Sequence, residues 1–297
     1  MGDTFITFAG SEDLGGGMKA SFKIEPQLSP NSAAHSMANR EAWVGVSGGF
    51  GSVQIGNNYT PGFLLFGAAT DPNGVSNGAG HLGWSSGTAT ISAGTSSILY
   101  MLPTMVTGLS VGLFKTQGGS NAASKTDNGA GDAQSYALAY TTGAITVGFS
   151  SQSTKNTALG YDTPTQAITG TAGVNDTTVE AAAAGSSLKT TNTGIVYNAG
   201  FATLSYLGTK STLKGDSIAS TTYGISVPFG ATSIGYTSGN AKAVNGTSEY
   251  KMKGSQMVVS YALSKRTKAY FQSGSVSAST GTADKVSQQG VGIAHSF

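Results

Sequence analysis

The sequence predicts an all-β protein, specifically a transmembrane antiparallel β-barrel, and three observations support this. Bulky apolar residues alternate with small or polar ones, glycine reaches 44 of 297 residues, and charged residues make up 10% of the chain. Alternation with a period of two is the pattern of a β-strand. A soluble domain carries about 25% charged residues. We therefore expect a barrel surface that does not face water.

The alternation gives each predicted strand one bulky face and one small face. Leu109, Val111 and Leu113, for example, alternate with Ser110 and Gly112. The outer face of a soluble sheet is charged, but the small face here is almost uncharged. This favours a barrel with apolar side chains toward lipid and small polar side chains around a wet lumen.

Fifteen strands are predicted. Bacterial barrels of one chain have an even number of antiparallel strands, so we expect one more strand, with a signal peptide, upstream of Met1. The predicted strands are 3–10, 17–26, 39–47, 51–57, 90–101, 108–117, 133–141, 145–152, 188–197, 201–209, 218–227, 231–238, 252–263, 268–278 and 287–297.

The connections between these strands alternate between short turns and long polar loops. Short turns at one rim and long loops at the other are typical of membrane barrels. The predicted long connections are 27–38, 58–88, 118–132, 153–187, 210–217, 239–251 and 279–286.

Composition disfavours several other classes. No cysteine is present, which excludes a disulfide scaffold, and no basic patch indicates nucleic-acid binding. His35, His81 and His295 lack metal-ligand spacing, so we expect no metal and no cofactor. The segments 45–49 and 15–20 fit the G-x-S-x-G and G-x-G-x-x-A motifs. A strand rather than a helix follows each, so we interpret both as hairpin turns and expect no enzyme.

Three regions of the chain resemble trimeric Gram-negative general porins of the beta-proteobacterial type. Residues 10–20 are similar to their first periplasmic turn, and 40–51, continuing into 55–61, to the next hairpin. Residues 261–267 and 290–297 are similar to the last hairpin and terminal strand. The resemblance implies one domain, 1–297, in a 16-stranded barrel that begins one strand before Met1. It also implies a homotrimer in the bacterial outer membrane.

The same resemblance implies a water-filled, weakly selective channel for passive diffusion of ions and small hydrophilic solutes. In that family the loop matching 58–88 folds into the barrel as a constriction. The match identifies Asp71 as the acidic residue of this constriction. Arg40 matches one of the arginines that the family places across the lumen. Phe5, Ala93 and Leu99 stand near other arginine positions, so the transverse field should be weak.

Four further residues join the predicted constriction, and each residue has a simpler alternative. Lys19, Lys23 and Glu25 share the lumen-facing parity of one strand, and His81 lies in the constriction loop. Lys19 could instead be a rim charge, Lys23 with Glu25 a same-face ion pair, and His81 a solvated loop residue. Arg40 could be a solvated strand-end charge, and Asp71 a turn former before Pro72.

The runner-up function is a substrate-specific outer-membrane channel, which would need lumen aromatics or a dense array of polar side chains. Few aromatics have lumen parity, Phe114 among them, and Trp43 is expected at the membrane interface. A barrel hydrolase would need a nucleophile with a partner base, and an adhesin would show a fixed repeat; the sequence shows neither.

The C-terminal strand predicts how the chain is assembled. Val291, Ile293 and Phe297 resemble the signal read by the outer-membrane β-barrel assembly machinery. The resemblance to porins implies the other expected partners: two further copies of the chain, outer-membrane lipid with lipopolysaccharide, and the small solutes that pass.

Overall fold

The computed structural model describes residues 4–28, 40–71, 93–116, 132–156, 159–161, 177–180, 185–278 and 285–296. In chain order its strands are β1 (Thr4–Phe5), β2 (Phe8–Gly15), β3 (Met18–Glu25), β4 (Gln27–Leu28), β5 (Glu41–Gly48), β6 (Gly51–Tyr59), β7 (Ala93–Met101), β8 (Leu109–Thr116), β9 (Ala133–Thr142), β10 (Ile145–Lys155), β11 (Leu159–Tyr161), β12 (Thr177–Glu180), β13 (Ser187–Asn198), β14 (Thr203–Leu213), β15 (Asp216–Phe229), β16 (Thr232–Asn245), β17 (Ser248–Ala262), β18 (Thr267–Ala278) and β19 (Lys285–His295).

Fifteen of these strands form one antiparallel sheet, in which each strand pairs with the next one along the chain. Each overlaps one of the fifteen predicted strands, and the predicted antiparallel barrel is confirmed. The first predicted strand, 3–10, is displaced, because β2 continues to Gly15 and the turn lies at Gly16 and Gly17. β1 pairs with β4, which follows the β2–β3 hairpin, and β11 pairs with β12; each pair is a small separate two-stranded sheet. β2 and β19 are the edges of the described sheet and run in the same direction, because fifteen strands alternate. The strand upstream of Met1 stays a prediction.

The two faces of the sheet have the predicted character. Outward side chains such as Val44, Leu138 and Tyr223 are large, apolar and exposed in the single chain. Inward side chains such as Ser150 and Thr190 are polar and buried. This arrangement suits a wall with hydrocarbon outside and a polar lumen inside. Within the described residues, no helix is both long enough and apolar enough to cross a membrane.

Two predicted long loops are wrong. β14 and β15 are joined by Lys214 and Gly215 alone, and β16 and β17 by Gly246 and Thr247. Lys214 and Gly215 have φ values of 51° and 106°, as tight hairpin turns require. The polar residues at these ends belong to strands and not to loops. A strand end that stands outside the membrane has no contact with lipid, so its outward side chains can be polar and the apolar alternation is lost.

The long strands raise one side of the barrel. β15 and β16 have 14 residues each and β17 has 15, which corresponds to roughly 46–50 Å of extended chain. A tilted strand needs only about 9–11 residues to cross the hydrocarbon. The ends of β14–β17 that carry the Lys214–Gly215 and Gly246–Thr247 turns therefore stand above the apolar band, at the rim where the sequence predicted long loops.

Candidate pore constriction

A short helical segment leaves β6 and enters the barrel. Thr60 caps it: its carbonyl accepts the N–H of Leu64 at 3.1 Å and its hydroxyl that of Phe63 at 3.4 Å. Pro61 follows in the first turn, where a missing N–H costs nothing. A π-helical turn, Phe63–Gly67, and a 3₁₀ turn, Ala68–Thr70, complete this inward segment.

Phe66 anchors the inward segment to the inner wall. Its side chain is 1% exposed and packs against Ala137 and Leu207. Beneath the ring lie Gly148 of β10 and Gly194 of β13, which are directly paired. A Cβ at either glycine would collide with the Phe66 ring. Glycine inside a strand often marks such a close approach, and we call this pair the glycine slot.

The inward segment spans a wide sector of the wall. Near its start, Pro61 packs over Gly112 of β8, where a side chain would leave it no room. At its end, the hydroxyl of Ser205 on β14 donates to the carbonyl of Thr70 at 2.9 Å. Asp71 follows, and its N–H donates to the carbonyl of Ala68 at 3.3 Å. Asp71 is therefore placed toward β14, at the far end of the segment from β6.

Four charged side chains form a network on the inner wall at β3 and the start of β5. Arg40 Nε lies 2.8 Å from Glu25 Oε1, and Lys23 Nζ lies 3.0 Å from Glu25 Oε2. Lys23 also pairs with Glu41, and the hydroxyl of Thr7 donates to Glu25 at 2.8 Å. Both carboxylates are buried. The network holds two cations and two anions, so its formal charge is zero.

Aromatic rings join this network to the inward segment. The Arg40 guanidinium lies 4.6 Å from the Phe5 ring centre and 6.0 Å from that of Tyr59. The Tyr59 and Phe63 ring centres are 4.5 Å apart. Trp43 Nε1 donates to Glu41 at 3.1 Å, so Trp43 lies on the inner wall and its expected place at the membrane interface is wrong.

The structure brings together three of the six predicted constriction residues, Arg40, Lys23 and Glu25. Lys19 is exposed beside the Gly16–Gly17 turn, with Asp13 and Ser47 as its strand partners. His81 and the C-terminal Phe297 lie outside the described residues. Val291 and Ile293 face outward and are 83% and 71% exposed. Sequence reasoning missed Glu41, although it shares the lumen parity of Trp43, Gly45 and Ser47.

The wall of β9–β18 presents amides and hydroxyls to the lumen at mid-height. Asn192 donates to Ser150 Oγ at 3.0 Å and accepts from the Thr209 hydroxyl at 2.9 Å. Gln152 and Gln272 each keep a buried side-chain oxygen without a hydrogen-bond partner in the described part of the chain. Such an atom costs about 1–3 kcal/mol in a dry interior, so a hydrated lumen suits this wall.

An apolar cluster lies on the inner wall at the raised end. Leu159 of β11 is fully buried there, and the hairpin β11–β12 lies against β14, β15 and β16. Sequence reasoning missed this cluster. Its members are inward residues of long strands, and the other inward residues of those strands, at mid-height, are polar. The wall residues that form it are Leu188, Leu213, Ile218, Ala241, Ala243, Met252, Val276 and Ala278.

Comparison with known proteins extends these observations along the chain. Residues 1–281 match the sequence profile of the family described as Gram-negative porin. The major outer membrane protein P.IB of Neisseria meningitidis serogroup A is 39% identical over 51 residues. That alignment covers 17% of this chain and 16% of the relative, so the chain spans about a sixth of that protein.

Solved structures share the whole fold. The anion-selective porin from Comamonas acidovorans has a TM-score of 0.75 at 22% identity, covering 99% of this chain and 90% of that one. OmpF of Salmonella typhi has a TM-score of 0.66 at 14% identity, covering 97% and 89%. The match to this family also confirms the predicted location in the outer membrane. By the match over residues 1–281 and this shared architecture, the chain belongs to the Gram-negative porin family.

Proposed function

We propose that the chain forms a water-filled, weakly selective channel for the passive diffusion of ions and small hydrophilic solutes. The carrying observation is the inward segment, which Phe66 fixes in the glycine slot within a polar-lined barrel. Passive transport needs a lumen, a constriction and a field, and no bond is made or broken. We therefore assign no catalytic role to any residue.

The constriction is proposed to lie between the charged network and the inward segment. Arg40, Lys23 and Glu25 supply one side, and Asp71 closes the opposite end of the segment. The formal charge of the network is zero, which supports weak selectivity. Low-dielectric walls focus what field remains. Lys19 is proposed as a charge of the short-turn rim, and His81 stays a predicted lining residue.

Reversal potential in a salt gradient tests this assignment. The parent and the variants Arg40→Ala and Asp71→Asn are reconstituted in planar bilayers, with Lys265→Gln in a short turn as the matched control. We expect Arg40→Ala to shift the potential toward cations and Asp71→Asn toward anions, and the control to leave it unchanged. If neither test variant shifts the potential, the constriction has been placed wrongly.

We propose a homotrimer whose subunits meet through the outer faces of β2–β6. A groove of about 620 Å³ lies there, lined by side chains such as Phe22, Val44 and Ile55. Because the chain has no cysteine, Val44→Cys gives a single reactive site. A bismaleimide should link subunits of Val44→Cys and not those of the control Leu138→Cys. Equal linking of both variants would place the interface elsewhere.

Assembly and lipid contacts remain proposals of the same kind. Val291 and Ile293 already face outward, which suits recognition of the last strand, ending at Phe297, by the β-barrel assembly machinery. Outer-membrane lipid and lipopolysaccharide would cover the remaining apolar wall. Deletion of Phe297 should block insertion, and an unchanged yield of trimer in the outer membrane would remove that role.

The apolar cluster favours one alternative, a substrate-specific channel. Leu213, Ile218 and Met252 put an apolar inner surface at the raised end of the barrel, where a partly apolar solute could dwell. Planar-bilayer recordings separate the two functions. Stepwise ohmic openings that no single solute saturates support the general channel, and saturation by one solute supports the specific one.

A further inference from the structure

Two inward side chains of β18 lie sideways across the inner face of β19. Tyr270 is the strand partner of Gly292, and a Cβ on that glycine would collide with Cζ and Oη of Tyr270. Gln272 is the strand partner of Gly290, where a Cβ would lie 3.5 Å from Nε2 of Gln272. Glycine inside a strand permits such a close approach. The Tyr270 ring can therefore lie on the wall because its partner has no side chain.

The ring and the amide form one patch of the lumen wall, and we call Tyr270 and Gln272 the β18 platform. Tyr270 faces the lumen, because it shares the parity of the buried Gln272, whereas Phe271 between them pairs with the outward Val291. The Tyr270 side chain is half-buried. Part of its surface, on the side turned away from Gly292, is therefore open to the lumen.

Gln272 gives the platform an acceptor that the wall leaves unused. Its Oε1 is buried and lacks a hydrogen-bond donor among the described residues, and an unsatisfied buried oxygen is costly. Ser260, the strand partner of Tyr270 on β17, adds a hydroxyl group to the same face of the sheet. The wall at this point thus offers an aromatic face with an amide on one side and a hydroxyl on another.

We propose that the β18 platform binds neutral pyranose sugars during their passage. A pyranose ring carries C–H groups on its face and hydroxyl groups at its edge. The electron-rich face of an aromatic ring attracts such polarised C–H groups, and a primary amide both donates to and accepts from hydroxyl groups. Two residues along a strand span roughly 7 Å, so a sugar ring lying on Tyr270 can reach Gln272 with an edge hydroxyl.

Other classes of ligand fit the platform less well. A hard cation such as Ca²⁺ takes about six or more converging oxygens, and one amide oxygen does not supply them. A wholly apolar solute would leave the Gln272 oxygen without a donor. A sugar acid could also meet Lys268, which has the same parity two residues nearer the short turn. Lys268 is exposed at the rim, where an ion pair contributes little.

The proposal rests on the proposed channel and adds a class of solute to it. A site made of one ring and one amide holds a sugar weakly. A channel requires this, because a solute must leave as readily as it enters. A sugar held on one wall leaves the rest of the lumen to ions, so the conductance stays ohmic.

Saturation-transfer NMR tests the platform. The full chain in a detergent without sugar groups is titrated with glucose and, in parallel, with sorbitol, an open-chain relative that has no ring. Glucose should receive saturation mainly at its ring C–H protons, and sorbitol should receive little. Tyr270→Ala should weaken glucose binding on the order of tenfold, since one aromatic contact accounts for about this factor. Tyr270→Phe keeps the ring and should bind within about twofold of the parent.

A matched pair of glycine variants separates the platform from a general effect on folding. Gly292→Ala should lift the Tyr270 ring off the wall and weaken glucose binding. Gly290→Ala places a methyl group at ordinary contact distance from Gln272 and should leave glucose binding unchanged. Conductance in KCl without sugar should stay at the parent value in both variants, which shows that the barrel is intact.

Different results overturn the platform and the channel. Equal saturation of glucose and sorbitol, or unchanged glucose affinity in Tyr270→Ala, overturns the platform and leaves a conducting channel intact. Tighter binding of glucuronate than of glucose, with the difference lost in Lys268→Gln, would assign the site to sugar acids instead. A parent that binds glucose but does not conduct in KCl would overturn the channel and not the platform.

Discussion

The two sides of the lumen solve the problem of lining a wet passage in different ways. The side at β3 and β5 uses full charges, which pair with one another and with the indole N–H of Trp43. The side at β9–β18 uses amides and hydroxyls such as Asn192, Thr209 and Ser150. The charged side can attract or repel an ion, and the amide side can only hydrate it. The fixed charges of the wall therefore lie on one side, and the packing that positions the inward segment, with Asp71 at its end, lies on the other.

The largest effect is expected from a variant that releases the inward segment from its anchor on the amide side. Phe66→Ala should cost about 3–5 kcal/mol of packing free energy, which releases the inward segment and raises single-channel conductance. Gly148→Leu should act in the same direction by filling the glycine slot. Gly290→Ala is the control, because a Cβ there meets nothing closer than 3.5 Å. Parent-like conductance in Phe66→Ala would mean that the segment is held by other contacts.

A second variant tests the apolar cluster at the raised end. Leu213→Ala should cost about 2–5 kcal/mol and loosen the β11–β12 hairpin from the wall. In a limited digestion, chymotrypsin should then cut the variant faster between residues 156 and 187. Mass spectrometry of the fragments measures the rate at these sites. The control Ile225→Ala lies on the outward face of β15 and should leave the cutting rate unchanged. Equal rates in Leu213→Ala and the parent would show that Leu213 does not hold the hairpin.

Charge removal on the network side should change selectivity with little change in conductance. Glu25→Gln leaves a formal charge of +1. A unit charge acts on an ion about 7 Å away with about 0.6 kcal/mol in water, attracting an anion and repelling a cation. The anion-to-cation permeability ratio should therefore rise about sevenfold. Lys23→Met should shift the ratio in the opposite direction. Both ratios come from reversal potentials in a KCl gradient, and shifts of the same sign would contradict this view of the network.

The smallest effect belongs to a single hydrogen bond on the amide side. Thr209→Val removes the bond to Asn192 and should lower the free energy of unfolding by about 0.5–1.5 kcal/mol. The permeability ratio should stay at the parent value, because no charge changes. Urea unfolding in detergent measures the first quantity and reversal potential the second. A shifted ratio would show that the amide side also selects ions.

Fourteen of the fifteen strands of the sheet were predicted close to their observed positions, because the period of two repeats along them; the first, 3–10, was placed too early. Leu138 and Tyr140 on β9, for instance, face outward as their alternation requires. The strand ends within 210–217 and 239–251 were predicted as loops. Strand ends above the membrane lose the alternation of apolar and polar residues but keep their hydrogen bonds to the neighbouring strands. Within the site, parity identified Lys23 and Glu25. Glycines 148 and 194 gave no signal by themselves, because only the tertiary structure brings Phe66 onto them.

The glycine slot has a consequence for how this channel can vary. In the proposed channel, the width of the constriction depends on how deeply the Phe66 side chain is seated, and therefore on the two glycines of the wall behind the segment. The ionic preference of that channel depends on other residues, the charged network of the opposite wall and Asp71 at the end of the segment. Different residues thus determine the width of the constriction and its ionic preference. Substitutions can therefore change one property while the other stays constant.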